Sequence, residues 1–161
     1  MRAIFLILCA VLLNGCLGMP ESVKPVSDFE LNNYLGKWYE VARLDHSFER
    51  GLSQVTAEYR VRNDGGISVL NRGYSEEKGE WKEAEGKAYF VNGSTDGYLK
   101  VSFFGPFYGS YVVFELDREK LQLCFCVRAE YRISCGYFKN ADCRTRHSWT
   151  SSIENVERAW F

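Results

Sequence analysis

The stretch NYLGKWYEVAR at residues 33–43 carries the strongest local signal for how this chain folds. Gly36 has no side chain, so the backbone can turn tightly there into the strand that the next residues predict. Trp38, two positions later, brings a large apolar area that favours burial. By itself the segment also fits a core tryptophan in any β-protein. The rest of the sequence is therefore needed to identify the architecture.

Downstream, the sequence predicts an antiparallel meander of short strands. Residues 53–62 alternate, with Val55, Ala57, Tyr59 and Val61 on one face and polar side chains on the other. Asn-Asp-Gly-Gly at residues 63–66 is typical of a hairpin turn, because these residues tolerate positive φ. Residues 67–74 form the return strand. Further strands are predicted at residues 80–91, 98–104 and 110–116.

A meander of this kind has to protect its edge strands, and closing the sheet into a barrel removes them. A closed barrel of about eight strands has an interior that holds one small ligand. The strand pattern alone also fits a β-sandwich.

Several segments resemble those of bacterial outer-membrane lipocalins, in the same order along the chain. Residues 33–43 are similar to the family's Gly-x-Trp signature, here Gly36 and Trp38. The other matching segments are FERG at 48–51, EGKAYF at 85–90, LKVSFFGPF at 99–107 and LDRE at 116–119. The resemblance covers residues 29–119, and we interpret this range as the lipocalin barrel.

The resemblance implies an all-β, eight-stranded, up-and-down antiparallel barrel in which Trp38 plugs the closed end. It also implies an apolar cavity that binds lipids such as fatty acids or lysophospholipids, for storage or transport during envelope maintenance. Two other functions stay open. One is a structural or interaction lipoprotein whose barrel is filled by its own side chains, and the more remote one is a lipid-modifying enzyme.

Candidate pocket residues are those predicted to face inward on two strands. They are Val55, Ala57, Tyr59 and Val61 on one strand, and Val101 and Phe103 on another. For each residue, plain core packing is the alternative. Eight charged residues between positions 76 and 87 predict a solvated hairpin, because a headgroup site would need inward-facing charges.

The N-terminal residues predict export and lipidation. Arg2 precedes an apolar run at residues 3–13 that suits a signal peptide and is too short for a membrane span. The run ends in LNGC at residues 13–16, which resembles a lipobox. The resemblance implies a signal peptide at residues 1–15, and Cys16 as an N-palmitoyl, S-diacylglycerol cysteine. An ordinary signal peptide that contains a cysteine is the alternative.

The anchor implies a location. Three acyl chains hold a protein firmly, at about 0.8 kcal/mol per buried methylene. Residues 16–28 contain two prolines and no apolar periodicity, and we interpret them as a lipidated tether. No aspartate follows Cys16, which by the same resemblance favours the outer membrane. We expect the domain to face the periplasm.

Other classes of function find little support. The chain has 161 residues and a net charge of -1, so we expect one domain and no nucleic-acid partner. It contains no Gly-rich phosphate loop, no zinc-protease motif and no nucleophile elbow. Asp45-His46-Ser47 is not favoured as a triad, since sequence neighbours rarely adopt relay geometry, and we expect His46 in a solvated loop at the barrel mouth. We therefore predict no enzyme activity, cofactor or metal site.

A homodimer is a possible assembly. An exposed aromatic patch at residues 103–108 could pair two copies. A buried strand and turn is the alternative for the same residues.

The resemblance stops after Glu119, and residues 120–161 form an aberrant C-terminal region. Cys124, Cys126, Cys135 and Cys143, read with His147, match no standard zinc spacing, although disulfides are possible in the oxidising periplasm.

If residues 126–130 are encoded TGT GTC CGG GCC GAA, a one-base shift yields Val-Ser-Gly-Pro. In that frame residues 138–142, as TTC AAG AAC GCC GAC, yield Ser-Arg-Thr-Pro-Thr.

Both products resemble what bacterial lipocalins carry at this distance, so we hypothesise a frameshift between Glu119 and Leu123. Lys139 then stands at the codon of the family arginine that packs on the barrel tryptophan. Lysine lacks the planar guanidinium group of arginine, which puts its contact with Trp38 in doubt. If the tail does not pair as strands, the barrel keeps an open edge.

Overall fold

The computed structural model describes residues 18–19, 23–43, 50–117, 123–128 and 133–139. A short helix, α1 (Leu31–Tyr34), precedes eight strands. They are β1 (Gly36–Arg43), β2 (Leu52–Val61), β3 (Ile67–Ser75), β4 (Glu80–Phe90), β5 (Tyr98–Ser102), β6 (Gly109–Leu116), β7 (Leu123–Arg128) and β8 (Ile133–Phe138). Each strand pairs antiparallel with the next and β8 pairs with β1, which closes the barrel. The predicted eight-stranded up-and-down barrel is confirmed.

The hairpin of β2 and β3 agrees with the sequence prediction to within one residue at each end. Gly65 has a φ of +79°, and the Asp64 carboxylate accepts a hydrogen bond from the Gly66 amide at 3.1 Å. Arg62 donates three hydrogen bonds to the same carboxylate, two from Nε and one from Nη2. The Arg62 contact and the Gly66 amide hold the pKa of Asp64 well below its usual value. The turn residues thus stabilise the ionised carboxylate of Asp64, and that carboxylate holds the turn through its hydrogen bonds.

One end of the barrel is closed by the segment that precedes β1. Gly36 has a φ of +102°, so the chain needs a glycine where it turns from α1 into the strand. Trp38 is fully buried, and its Nε1 donates a hydrogen bond to the Tyr34 carbonyl at 2.7 Å. The rings of Tyr34 and Trp38 lie 5.0 Å apart, and Phe29 packs on Tyr34. These contacts support the predicted role of Trp38 as the plug of the closed end.

Lys139 does contact Trp38, which answers the doubt that its lack of a planar group had raised about this contact. The Lys139 Nζ lies 5.8 Å from the centroid of the Trp38 ring and donates a hydrogen bond to the Asn33 carbonyl at 2.6 Å. A cation over a ring needs only its charge and its position, and the flexible lysine stem supplies the reach.

The last two strands come from the region set apart as aberrant. Both β7 and β8 lie beyond Glu119, and they pair with β6 and β1 respectively. The barrel therefore extends to Phe138, past the boundary drawn at residue 119. Strand pairing uses backbone groups, so a segment of suitable composition can complete a sheet even when its sequence is unlike the family's. The frameshift itself stays a prediction.

Part of the predicted tether is packed against the barrel instead of standing away from it. Val23 is only 8% exposed and packs on the outer face against Tyr98 and Val112. The Val26 amide donates a hydrogen bond to the Val113 carbonyl at 2.9 Å, and the Gly97 amide donates to the Val26 carbonyl at 2.9 Å. We call residues 23–28 the docked segment. The sequence did not predict this packing because the segment contains few apolar residues. Val23 and Val26 are enough to hold it on the barrel, since its backbone also forms hydrogen bonds with the wall.

The loop between β5 and β6 differs from its prediction. The strand expected at residues 98–104 ends at Ser102. Phe104 and Phe107 are 68% and 65% exposed, so the buried-strand interpretation of residues 103–108 is wrong for these two side chains.

Among the described helices, none has the length and apolarity that a membrane span requires.

Candidate ligand cavity

A cavity of about 340 Å³ occupies the half of the barrel opposite Trp38. It lies where β3, β4 and the β5–β6 loop meet, and it opens to the outside. We call this end of the barrel the mouth. Its volume falls within the range of small-ligand pockets. The lining residues are Leu52, Val55, Asn71, Arg72, Gly73, Lys82, Glu83, Ala84, Glu85, Phe103 and Phe104.

The six predicted pocket residues separate into four groups. Val55 and Phe103 line the open cavity. Tyr59 and Val101 line a second, enclosed cavity of about 20 Å³ deeper in the barrel. Ala57 is 1% exposed and lies opposite Trp38 in the β1–β2 pairing, so it belongs to the packed core.

Val61 contradicts its prediction, because its side chain is 59% exposed and lines neither cavity. It shares a face with Tyr59 but is the last residue of β2, beside the hairpin turn. Alternation predicts the face of the strand on which a residue lies. To be buried, the residue must also lie between the two ends of the barrel, and Val61 lies at one end.

The sequence analysis missed Asn71, Gly73, Lys82 and Ala84, which line the open cavity on facing strands. Gly73 lies opposite Lys82, and Asn71 lies opposite Ala84. Counting back in twos from the buried Ala88 would have found both β4 positions. The charged hairpin is largely exposed, as predicted, but Lys82 and Glu83 reach the cavity wall. The sequence analysis had treated the whole charged stretch as solvated, and it therefore missed this contribution to the cavity wall.

The deeper half of the barrel is nearly filled. The Tyr111 hydroxyl is hydrogen-bonded to the hydroxyls of Tyr34 and Tyr59, each at 2.9 Å, and all three side chains are buried. The 20 Å³ cavity beside them is large enough for about one water molecule. Asn71 lines both cavities, so a ligand in the mouth would meet polar groups at its inner end.

Two predicted sites cannot be placed. Cys16 and the Asp45-His46-Ser47 segment lie outside the described residues. Within the described part of the chain, no cluster of three or more His, Cys, Asp or Glu side chains could hold a metal ion.

Known proteins resemble this chain in both sequence and fold. A family model described as a lipocalin-like domain matches residues 29–129. The chain is 95% identical over 125 residues to the outer membrane lipoprotein Blc of Vibrio cholerae, covering 78% of this chain and 73% of that protein. It is 54% identical over 107 residues to outer membrane lipoprotein Blc of Escherichia coli K12, covering 66% of this chain and 60% of that protein.

The chain thus spans less than two thirds of the Escherichia coli relative. Among solved structures, insecticyanin from the tobacco hornworm Manduca sexta superposes with a TM-score of 0.65 at 22% identity, over 89% of this chain and 79% of that one. The cockroach allergen Per a 4 superposes with a TM-score of 0.65 at 13% identity, over 91% of this chain and 88% of that one. At these identities the likeness concerns the fold alone.

Proposed function

Since the chain belongs to the lipocalin-like domain family, we propose that it binds and carries a lipid or another small hydrophobic ligand in the mouth of its barrel. The observation that carries this proposal is the open cavity of about 340 Å³, walled by Val55, Ala84 and Phe103. Each Å² of apolar surface removed from water contributes about 25 cal/mol before ordering costs. A single acyl chain offers enough such surface for measurable affinity.

Fatty acids and lysophospholipids fit this site because they combine one acyl chain with a charged headgroup. Lys82 lies on the cavity wall near the mouth, where it can meet a carboxylate or phosphate while the chain extends inward. Storage or transport of such lipids would serve maintenance of the envelope. We expect binding without turnover.

The chain is placed at the outer membrane, the location in the names of the Vibrio cholerae and Escherichia coli relatives. We propose that acyl chains on Cys16 anchor it there, with the barrel in the periplasm. Pairing of two copies through the exposed residues 103–108 also stays a proposal.

Titration of the purified full chain with a fluorescent fatty acid tests the carrier function. We expect saturable binding at one site. Ala84→Trp places an indole inside the open cavity, and we expect it to weaken binding by at least about tenfold, the effect of roughly 1.4 kcal/mol. Val61→Trp adds the same side chain at an exposed position outside both cavities, so it should leave affinity unchanged.

Failure of the parent chain to bind saturably would favour the interaction lipoprotein with a filled barrel, which the packed tyrosine half of the interior makes the next candidate. Turnover of a lipid substrate would favour the enzyme.

A further inference from the structure

The inner face of β3 carries one polar side chain at the junction of the two cavities. Val69, Asn71 and Gly73 share this face, because side chains alternate along a strand. Asn71 lines both the open cavity and the enclosed cavity below it. An amide group therefore lies at the inner end of the space that an acyl chain would occupy.

Two small neighbours leave this amide uncovered. Asn71 lies directly opposite Ala57 of β2 and directly opposite Ala84 of β4. Residues that are directly opposite in antiparallel strands share a face, so Asn71 is flanked by two methyl groups. No hydrogen bond joins its side chain to another residue in the described part of the chain. The amide is thus open to a ligand in the cavity.

Below Asn71 the interior is polar but uncharged. The hydroxyls of Tyr59 and Tyr111, which are hydrogen-bonded at 2.9 Å, belong to side chains that line the enclosed cavity together with Asn71. None of the described residues that line this cavity carries a charge. A charged group would lose its hydration there without meeting an opposite charge. A hydroxyl group suits the site better, since amides and phenols can both donate to it and accept from it.

The charged part of a ligand belongs nearer the mouth. Lys82 lines the open cavity and lies opposite Gly73, two residues along β3 from Asn71. Two residues of a strand span about 7 Å. An acyl chain whose carboxylate meets Lys82 would therefore pass Asn71 with part of its length.

We infer that Asn71 makes the carrier selective for acyl chains that bear a hydroxyl group along the chain. This inference rests on the carrier function proposed above and names the ligand class that the same cavity prefers. A plain chain that covers Asn71 removes water from the amide and returns no hydrogen bond. A hydroxyl at that depth replaces the lost water, so the site discriminates against the ligand that lacks it.

Calorimetric titration of the purified full chain tests the selectivity. The probes are decanoate and a series of hydroxydecanoates in which the hydroxyl moves along the chain one carbon at a time. We expect the isomer whose hydroxyl reaches Asn71 to bind about tenfold more tightly than decanoate. Isomers with the hydroxyl against apolar wall should bind no more tightly than decanoate.

Substitutions of Asn71 assign the preference to its amide. Asn71→Leu keeps a similar volume without polar atoms, so we expect it to bind decanoate at least as tightly as the parent and to lose the tenfold preference. Asn71→Ala removes the amide without the leucine's bulk, and it should lose the preference too. Ser68→Ala is the matched control, because the Ser68 hydroxyl donates to the Arg60 carbonyl and lines neither cavity. It should keep the preference.

The outcomes separate this inference from the carrier function. Saturable decanoate binding by the parent, with no hydroxydecanoate bound more tightly, overturns the selectivity and leaves the carrier function standing. A preference that survives in both Asn71→Leu and Asn71→Ala overturns the assignment to Asn71. Failure of the parent to bind any of the probes contradicts the carrier function, and the selectivity with it.

Discussion

Lys139 shows how a single side chain can hold the closed end of the barrel together. Its ammonium group lies over the Trp38 ring and also donates to the Asn33 carbonyl in α1. It follows β8 directly, so it links the last strand to the segment that covers the first. One cation thereby joins the two ends of the described fold.

Replacing that cation should reveal its contribution. We expect Lys139→Met to lower the free energy of unfolding by about 1–3 kcal/mol, since a charged hydrogen bond and a cation–π contact are lost. Lys139→Arg keeps the charge and should lose less. Urea denaturation followed by tryptophan fluorescence measures both. Equal stability of Lys139→Met and the parent would show that the contact contributes nothing.

At the scale of elements, the docked segment behaves as an addition to the barrel wall. It packs where Gly97 has no side chain, and a Cβ there would lie 2.7 Å from Val26 Cγ2 and 2.8 Å from the Val113 carbonyl oxygen. The close approach of two backbones therefore depends on this glycine.

Gly97→Ala should displace the docked segment. We expect faster hydrogen exchange at the Val26 amide and a loss of about 1–3 kcal/mol in the free energy of unfolding, because the added methyl group overlaps its neighbours. Gly105→Ala is the control, since a Cβ there meets nothing within 4 Å. Unchanged protection at Val26 in Gly97→Ala would mean that the segment is not packed in solution as it is here.

At the scale of the whole molecule, the barrel combines a filled half and an open half within one closed sheet. The tyrosine network and Trp38 occupy the closed end, and the cavity occupies the mouth. Closure depends on β7 and β8, which come from the unusual tail. Those strands lie opposite the β3–β4 wall of the cavity in the order of the sheet, so the tail closes the barrel without forming that wall.

Restoring the reading frame tests how far the tail matters. We expect one inserted or deleted base between the codons of Glu119 and Leu123 to yield a chain with an arginine near Trp38, more stable by about 1 kcal/mol. Both chains should bind a fluorescent fatty acid with affinities within about tenfold, since both close the barrel. Binding by the restored chain alone would mark the present tail as defective. A gene sequence in which no single-base change restores the motifs would disprove the frameshift.

The sequence by itself determined the all-β meander, the β2–β3 hairpin and the positions of Gly36 and Trp38. These follow from alternation, from turn chemistry and from one glycine that needs positive φ, all of which act between near neighbours. Only the tertiary structure decided that Val61 lies outside the barrel while Lys82 lines its cavity, that the docked segment covers the wall, and that β8 meets β1. Those outcomes depend on the height of a residue within the barrel and on contacts between distant segments, and a period of two residues encodes neither.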